Sequence, residues 1–511
     1  MAESVVNNRQ IAKNTIFLYI RMIVVMLIQL YTVRAYLSIL GETDYGLYNV
    51  IGGVVAMFSF LNQTLATSSQ RYFSQALVRK DKAATNRVFC LNLTIYLFLI
   101  AFVVIILETA GLWFVNNKMT IPAERMKAAN VVYQLSIITF ALQFLTISFN
   151  AIVISHEKMK TFAFVGILEA FLKLGFVFVL MNLPFDKLIS YAVFLFLMHL
   201  LVMGIYITYC RRNFEESRYH FYWNKKEALE MLGFSGWHLL GTLSMVARSS
   251  GVNILINMFF NPAVNAARAV AFQVEGAINQ LSHNFFVAVK PQMYKSYSNG
   301  EIAALNNLVL RSTIICFFLV SLLSIPIFFN AEYILGLWLK DVPQYAIAFT
   351  QLVLINGLID SVQGSLIVPA LATGKIKVFY LVSGTLIILT LPIAYILLRL
   401  GFEPTSTMFV SIAISFVVII ARAIILVGLV QLPLKKYFML LVRLLLSTII
   451  IGVITFYTVK FIPNLFMALV VSTVVSSILH CVIYLGFVCT KQDRVTIIGM
   501  AKEKMHIKSR E

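Results

Sequence analysis

From Asn14 to Cys489 the chain is a succession of apolar runs, each about as long as a bilayer is thick, separated by short polar turns. A helix that crosses the hydrocarbon core needs about 20 predominantly apolar residues. By that measure the chain holds about fourteen spans. They fall at 14–39, 47–69, 88–115, 128–154, 161–181, 188–210, 231–259, 266–289, 305–329, 345–371, 376–398, 405–430, 437–459 and 464–489. Turn and charge signals bound them, among them Gly41-Glu42-Thr43-Asp44, Asn182-Leu183-Pro184, Asn261-Pro262 and Gly401-Phe402-Glu403-Pro404. Hydrophobic residues make up 60% of the chain and charged ones only 12%, with a mean hydropathy of +0.86. No stretch has the polar composition of a soluble domain, so the expected fold class is an all-α integral membrane protein rather than an anchored soluble enzyme.

The formal net charge of +19 follows the same logic. With the amino terminus inside, the inner segments carry roughly 26 Lys and Arg and the outer ones roughly 7, the asymmetry that sets orientation during insertion. Arg79-Lys80-Asp81-Lys82, Arg211-Arg212, Lys435-Lys436 and the tail from Lys491 to Arg510 carry that signal, which places both termini in the cytoplasm and makes nucleic acid an unneeded partner for the charge. The first apolar run is too long for a signal-peptide core and lacks a small-residue cleavage site. The five cysteines are scattered, with no CxxC pair, so neither a disulfide framework nor a metal site is expected. Thr373-Gly374-Lys375 resembles the end of a phosphate-binding loop, but Pro369 stands where that motif needs glycine. With no nucleotide motif, no catalytic motif and no outer loop above roughly 15 residues on these boundaries, the expectation is a transporter without a cofactor. It would be driven by a proton or sodium gradient, the membrane potential or the substrate gradient.

A weak internal repeat is visible. The first span carries Arg21 and the seventh Arg248; each is followed by a short outer turn and a helix that returns to a basic inner end, at Arg71 and Lys290. Six helices per half would give two lobes of like orientation, related by an axis along the membrane normal. The expected division is 1–225, 226–435 and a terminal segment 436–511 with the last two helices and the basic tail.

Charges inside spans are costly, about 2.5–3.5 kcal/mol each at a helix centre on insertion scales, and so are candidates for function. Arg311, Arg443 and Arg422 lie near inner ends and are expected to snorkel to the headgroups. Arg21 and Arg248 lie deeper and are expected to face a water-filled cavity, with Arg34 and Arg268 as further cations. Glu169 and Lys173 are four apart and share a helix face. Glu275 lies seven residues after Arg268, and Asp360 stands alone beside Ser361 and Gln363. Glu169, Lys173, Glu275 and Asp360 are the candidates for ion coupling. The polar residues of the second and eighth spans, Asn62, Gln63, Gln280 and Asn284 among them, either bind helices together or line a cavity for hydroxyl-rich cargo. A net-basic cavity suits an anion, because the arginine fork grips phosphate with two parallel bonds.

Several short runs then fall in a telling order: Leu40-Gly41, Tyr45-Gly46-Leu47-Tyr48, Arg71-Tyr72-Phe73-Ser74, Asn265-Ala266-Ala267-Arg268, Val289-Lys290-Pro291-Gln292 and Lys295-Ser296-Tyr297. In that order and placement the chain resembles the Wzx-like oligosaccharide flippases of O-antigen and capsule assembly, within the multidrug/oligosaccharidyl-lipid/polysaccharide (MOP) exporter superfamily. The resemblance implies two six-helix lobes forming a V around a cavity, with two added helices. It implies alternating access, a bacterial cytoplasmic membrane location, and a cargo of undecaprenyl diphosphate carrying a sugar repeat unit, handed between polysaccharide assembly enzymes. In related flippases of lipid-linked peptidoglycan precursors, arginines on the first, second and eighth helices meet the diphosphate. Arg21, Arg34 and Arg268 match, whereas the second helix here has no internal arginine before Arg71 and Arg248 sits on the seventh. A peptidoglycan-precursor flippase and a multidrug or cation antiporter of the same superfamily are the alternatives.

Overall fold

The computed structural model describes residues 8–79, 81–117, 119, 121–260, 262–339 and 342–488, and a few side chains within these helices, Arg34 included, lie outside the described set. The basic tail from Lys491 to Arg510 and the first seven residues, on which the placement of the termini rests, lie outside it too. Every regular element among the described residues is helical. The helices are α1 (Asn8–Ala56), α2 (Ser59–Val78), α3 (Lys82–Asn117), α4 (Met126–Ser155), α5 (Met159–Asn182), α6 (Lys187–Asn213) and α7 (Lys225–Phe259). They continue as α8 (Pro262–Ser298), α9 (Ile302–Phe329), α10 (Ala346–Thr373), α11 (Lys377–Arg399), α12 (Ser406–Val430), α13 (Leu434–Phe461) and α14 (Leu465–Val488), with a short helix Ala331–Trp338 before α10.

Twelve helices among the described residues are long and apolar enough to cross a membrane, so the chain is a multi-pass membrane protein. The two expected spans missing from that set are the second, which is divided between the end of α1 and the start of α2, and the eighth, which coincides with α8. They differ in another way. Each of the twelve turns at least one large apolar side chain outward, as α11 does with Val378, Leu381, Val382 and Ile388. Among the described side chains, α2 and α8 turn out none. The outward residues of α8 are Ala266, Ala269, Gln273, Gly276, Ala277, Gln280 and His283, recurring every three to four positions along one face. A face of amides and small residues does not belong in lipid, where unsatisfied polar groups are costly.

The first two spans depart from expectation in detail. The turn placed at Gly41-Glu42-Thr43-Asp44 is a single non-helical residue, Gly41 (φ 76°, ψ 167°), inside a helix that resumes and runs on to Ala56. Glycine tolerates that backbone because it has no Cβ. The expected second span is instead broken at Met57–Phe58, where the Phe58 amide bonds back to the Val55 carbonyl at 3.1 Å and α2 begins anew.

The chain forms two compact units, Met1–Leu243 with Val287–Gly300, and Ser244–Phe286 with Glu301–Glu511. In the first, the core is built around α2, α3, α4 and α6, with Ile51, Val115, Ala129, Val132, Tyr133 and Phe144 fully buried. Polar groups tie helices together around it: Ser69 Oγ of α2 donates to Asn92 Oδ1 of α3 (3.1 Å), Ser148 Oγ of α4 donates to the same oxygen (2.9 Å), and Tyr96 Oη of α3 donates to Leu65 O of α2 (2.8 Å). At one end of this unit Arg125 Nε donates to Asp44 Oδ1 at 2.9 Å, and the same guanidinium bonds Asp186. Asp186 also caps α6 by accepting from the Ile189 amide at 3.0 Å. Burial alone would raise the pKa of the Asp186 carboxyl; the Ile189 amide and the Arg125 guanidinium hold it below the ordinary aspartate value.

Helix α3 carries a π-helical turn at Leu107–Gly111. The Tyr133 hydroxyl enters there and donates to the Leu107 carbonyl at 2.7 Å. A Cβ on Gly111 would lie 2.1 Å from that hydroxyl, so the glycine is what admits it. In the second unit α7, α8, α10 and α12 pack around Val252, Ile256, Ala267, Ala271, Phe349, Val353 and Met408. Small residues let the helices close up: a Cβ on Gly364 would lie 2.2 Å from the Phe286 ring.

Candidate functional site

Each unit holds its own cluster of polar and charged groups. In the first, Arg21 of α1 lies in a cavity of about 190 Å³ shared with Gln143 and Asn150 of α4, Glu169 of α5 and His199 and Tyr206 of α6. Its guanidinium stands 4.5 Å over the Phe162 ring, and its Nε is buried without a hydrogen-bond partner. A Cβ on Gly166 would lie 2.3 Å from that Nε, so the glycine makes the berth for the guanidinium. Glu169 accepts from Lys173 Nζ at 2.8 Å, the pairing that their spacing allows. His199 is held from both sides: Nδ1 meets the Leu195 carbonyl at 2.7 Å and Nε2 meets Gln143 Nε2 at 2.8 Å. A carbonyl only accepts, so Nδ1 carries the proton and Nε2 receives the amide. Gln143 and His199 also line a second cavity of about 200 Å³, which includes Asn62 of α2. The Asn62 Oδ1 is buried there without a partner, whereas its neighbour Gln63 is exposed.

In the second unit a chain of contacts links three helices. Arg248 of α7 donates from Nη1 to Ser415 Oγ of α12 (3.2 Å), and its Nη2 lies 3.9 Å from Asp360 Oδ2 of α10. Asp360 accepts from Asn356 Nδ2 (2.7 Å) and from Gln363 Nε2 (2.5 Å). Gln363 in turn accepts from Arg422 Nη1 of α12. The Arg422 guanidinium lies 5.2 Å over the Phe379 ring.

Two expectations are corrected here. Asp360 is not alone: Asn356 and Gln363, one turn to either side on its own helix, donate to it, and Arg248 approaches from another helix, which single-helix reasoning does not see. Arg422 does not snorkel. It is 4% exposed and turned into the unit, because Gln363 and Phe379 meet it there. Arg443, by contrast, is exposed on α13 beside Met439, as a snorkelling side chain would be.

Glu275 of α8 is buried and hydrogen-bonds Asn279 one turn on. Arg268 is 4% exposed; it donates from Nη1 to Asn253 Oδ1 of α7, lies 4.3 Å over the Phe272 ring, and keeps an unpartnered Nε. Of the polar residues expected to face a cavity on α8, Gln280 is exposed and Asn284 is buried, its Nδ2 without a partner. The side chain of Arg34 lies outside the described residues. Sequence reasoning named Gln363 beside Asp360 without pairing the two and passed over Asn356, although their spacing of three and four from Asp360 marks one helix face; it missed Asn253 and Ser415 altogether.

No family model matches the sequence, and no curated protein does. Solved structures do match its fold. An outward-facing multidrug resistance MATE family transporter of the MOP superfamily matches with a TM-score of 0.70 at 14% identity, covering 83% of this chain and 96% of that one. A MATE transporter in the bent conformation matches at 0.68 with 16% identity over 85% and 99%. A MOP superfamily transporter from Pyrococcus furiosus, described as having a binding pocket of reverse polarity that suggests a different function, matches at 0.68 with 15% identity over 84% and 99%. The chain therefore has the fold seen in these MATE transporters.

Proposed function

We propose that the chain is a flippase that moves undecaprenyl-diphosphate-linked oligosaccharide repeat units from the inner to the outer leaflet of a bacterial cytoplasmic membrane. It would do so by alternating access, for O-antigen, capsule or exopolysaccharide assembly. The observation that carries this reading is the sign of the interior charges. Arg21, Lys173, Arg248, Arg268 and Arg422 are met by Glu169, Glu275 and Asp360, and the Nε atoms of Arg21, Arg268 and Arg422 lack partners. Orphaned guanidinium N–H groups in a low-dielectric setting are costly unless an anion meets them, and the anionic groups of a diphosphate-linked oligosaccharide lipid offer matching acceptors. The outward faces of α2 and α8, free of large apolar groups among the described side chains, suit hydroxyl-rich cargo while the polyprenyl tail stays in lipid. An inside-negative potential helps an anion outward by about 2.3 kcal/mol per charge per 100 mV. Glu169, Glu275 and Asp360 are the groups that would take part in ion coupling to reset the empty carrier.

The test uses purified protein in liposomes with a diphosphate-linked oligosaccharide lipid on one leaflet. The intact lipid should appear on the other leaflet, and Arg21→Ala or Arg248→Ala should abolish this while protein level holds. Full activity in both variants would sink the claim. A second reading, export of small organic cations, is favoured by the carboxylates of buried Glu275 and half-buried Asp360 and by the multidrug neighbour. The neighbour described as having a binding pocket of reverse polarity bears on the choice, since its description ties pocket polarity to a different function. Cation efflux from the same liposomes, with no lipid translocation, would establish that second reading instead. Movement of a lipid-linked peptidoglycan precursor in preference to the oligosaccharide lipid would establish the closer alternative.

A further inference from the structure

Ser249, Asn253 and Asn257 follow one another at four-residue spacing along α7, and all three side chains are exposed. That spacing stacks them on one helix face as a ladder of an alcohol and two amides. Opposite them on α8 stand Asn265, Arg268 and Gln273, and the two sets enclose a recess of about 550 Å³ within the second unit. The recess is built rather than incidental. Asn265 Nδ2 donates to the Asn253 backbone carbonyl at 3.0 Å, which joins the two helices at its edge. Arg268, more than nine-tenths buried, has one Nη committed to Asn253 and its plane on Phe272, and its Nε stays without a partner.

We infer that this recess is a subsite for a sugar ring bearing one carboxylate, so that the cargo belongs to the class of uronic-acid-containing repeat units. The inference rests on the flippase reading and narrows its substrate. Three features choose this ligand. Amides and an alcohol in a row exchange hydrogen bonds with vicinal hydroxyls, each amide both donating and accepting. A guanidinium with part of its fork already used leaves room for one planar monoanion, held by a charge-assisted bond. The recess lining holds one cation and no carboxylate, whereas a diphosphate calls for more than one cation. On this assignment Arg268 reads the sugar's carboxylate and not the diphosphate.

Binding to the purified full-length protein in detergent tests this directly, with methyl glucuronoside, methyl glucoside and inorganic pyrophosphate titrated in turn and saturation-transfer NMR as the readout. The glucuronoside should bind about tenfold more tightly than the glucoside, the worth of one charge-assisted hydrogen bond. Arg268→Gln should bring that ratio to about one, and Asn257→Ala, which leaves the buried guanidinium in place, should weaken both sugars. Equal binding of the two sugars, or no sugar binding by the unaltered protein, overturns the inference. Pyrophosphate that displaces the glucuronoside and loses its hold in Arg268→Gln also overturns it, in favour of the headgroup. In liposomes, a glucuronate-containing lipid should cross faster than its carboxyl-reduced counterpart. Sugar binding without any lipid translocation would sink the flippase reading and leave the recess standing; translocation without glucuronoside binding would do the reverse.

Discussion

Replacing Gln363 with leucine isolates what the charged chain of the second unit contributes. Leucine keeps most of the volume and removes both polar ends of a buried amide. On one side Asp360 loses a donor but keeps Asn356 at 2.7 Å and Arg248 at 3.9 Å. On the other, Arg422 loses its Nη1 acceptor while its Nε is already unpartnered and 4% of the residue meets solvent. A hydrogen bond to a charged group contributes about 1.5–3 kcal/mol, and stripping the partner from a buried charge costs about 3–5 kcal/mol. The Arg422 side therefore dominates, and Gln363→Leu should destabilise the protein by about 3–5 kcal/mol. Thermal melting in detergent should show a drop of several degrees. Arg422→Leu added to it should recover much of that loss, because the stranded charge disappears with its side chain. A coupling between the two changes of about 1.5 kcal/mol or more is expected from neighbours sharing one bond. Melting at the wild-type temperature for Gln363→Leu, or strict additivity of the pair, would refute the claim that Gln363 holds a buried charge.

Other outcomes follow from the same geometry. Gly166→Ala places a methyl 2.3 Å from the Arg21 Nε, so it should lower liposome transport to the level of Arg21→Ala without touching any charge. Gly111→Ala drives a methyl to 2.1 Å from the Tyr133 hydroxyl and should cost about 1–3 kcal/mol in melting, with Tyr133→Phe partly relieving it. Asp186 has its folded pKa depressed, so its contribution is fully present above the unfolded value of about 3.9 and is lost as pH falls through the folded value. The acid limb of the stability profile should flatten below pH ~4 in Asp186→Asn, and an unchanged limb would show that the Arg125 cluster is not responsible.

The membrane class and the helix count were legible because apolar run length is a local property of sequence. So was the oddity of the second and eighth spans, whose amides and hydroxyls stand out against Leu and Phe. What sequence could not say is which of those groups would be used between helices. Ser69 is spent on Leu65 and Asn92, Asn62 opens onto a cavity, and Gln63 is exposed, though the three lie within eight residues. Depth was judged from distance along a helix, which failed for Arg422, since a partner on another helix outweighs proximity to an end. Asp360 looked solitary for the same reason: Arg248 stands 112 positions away in the chain. The pairing of Asp360 with Asn356 and Gln363 was within reach, being a matter of one helix face.

The polar character of α2 and α8 has a consequence for how the protein is made. A segment enters the bilayer on its own only when its side chains prefer lipid to water, and α8, with Arg268, Glu275, Lys290 and a row of amides, gains little from entering alone. Among the described residues, neither it nor α2 is apolar enough over its length to cross a membrane as the other twelve helices are. Each is therefore expected to go in as a hairpin with its apolar predecessor, α1 or α7. A change that shortens the apolar stretch of α7 should then leave α8 outside the membrane, and the damage would appear as inverted topology of everything downstream rather than as a poorer carrier.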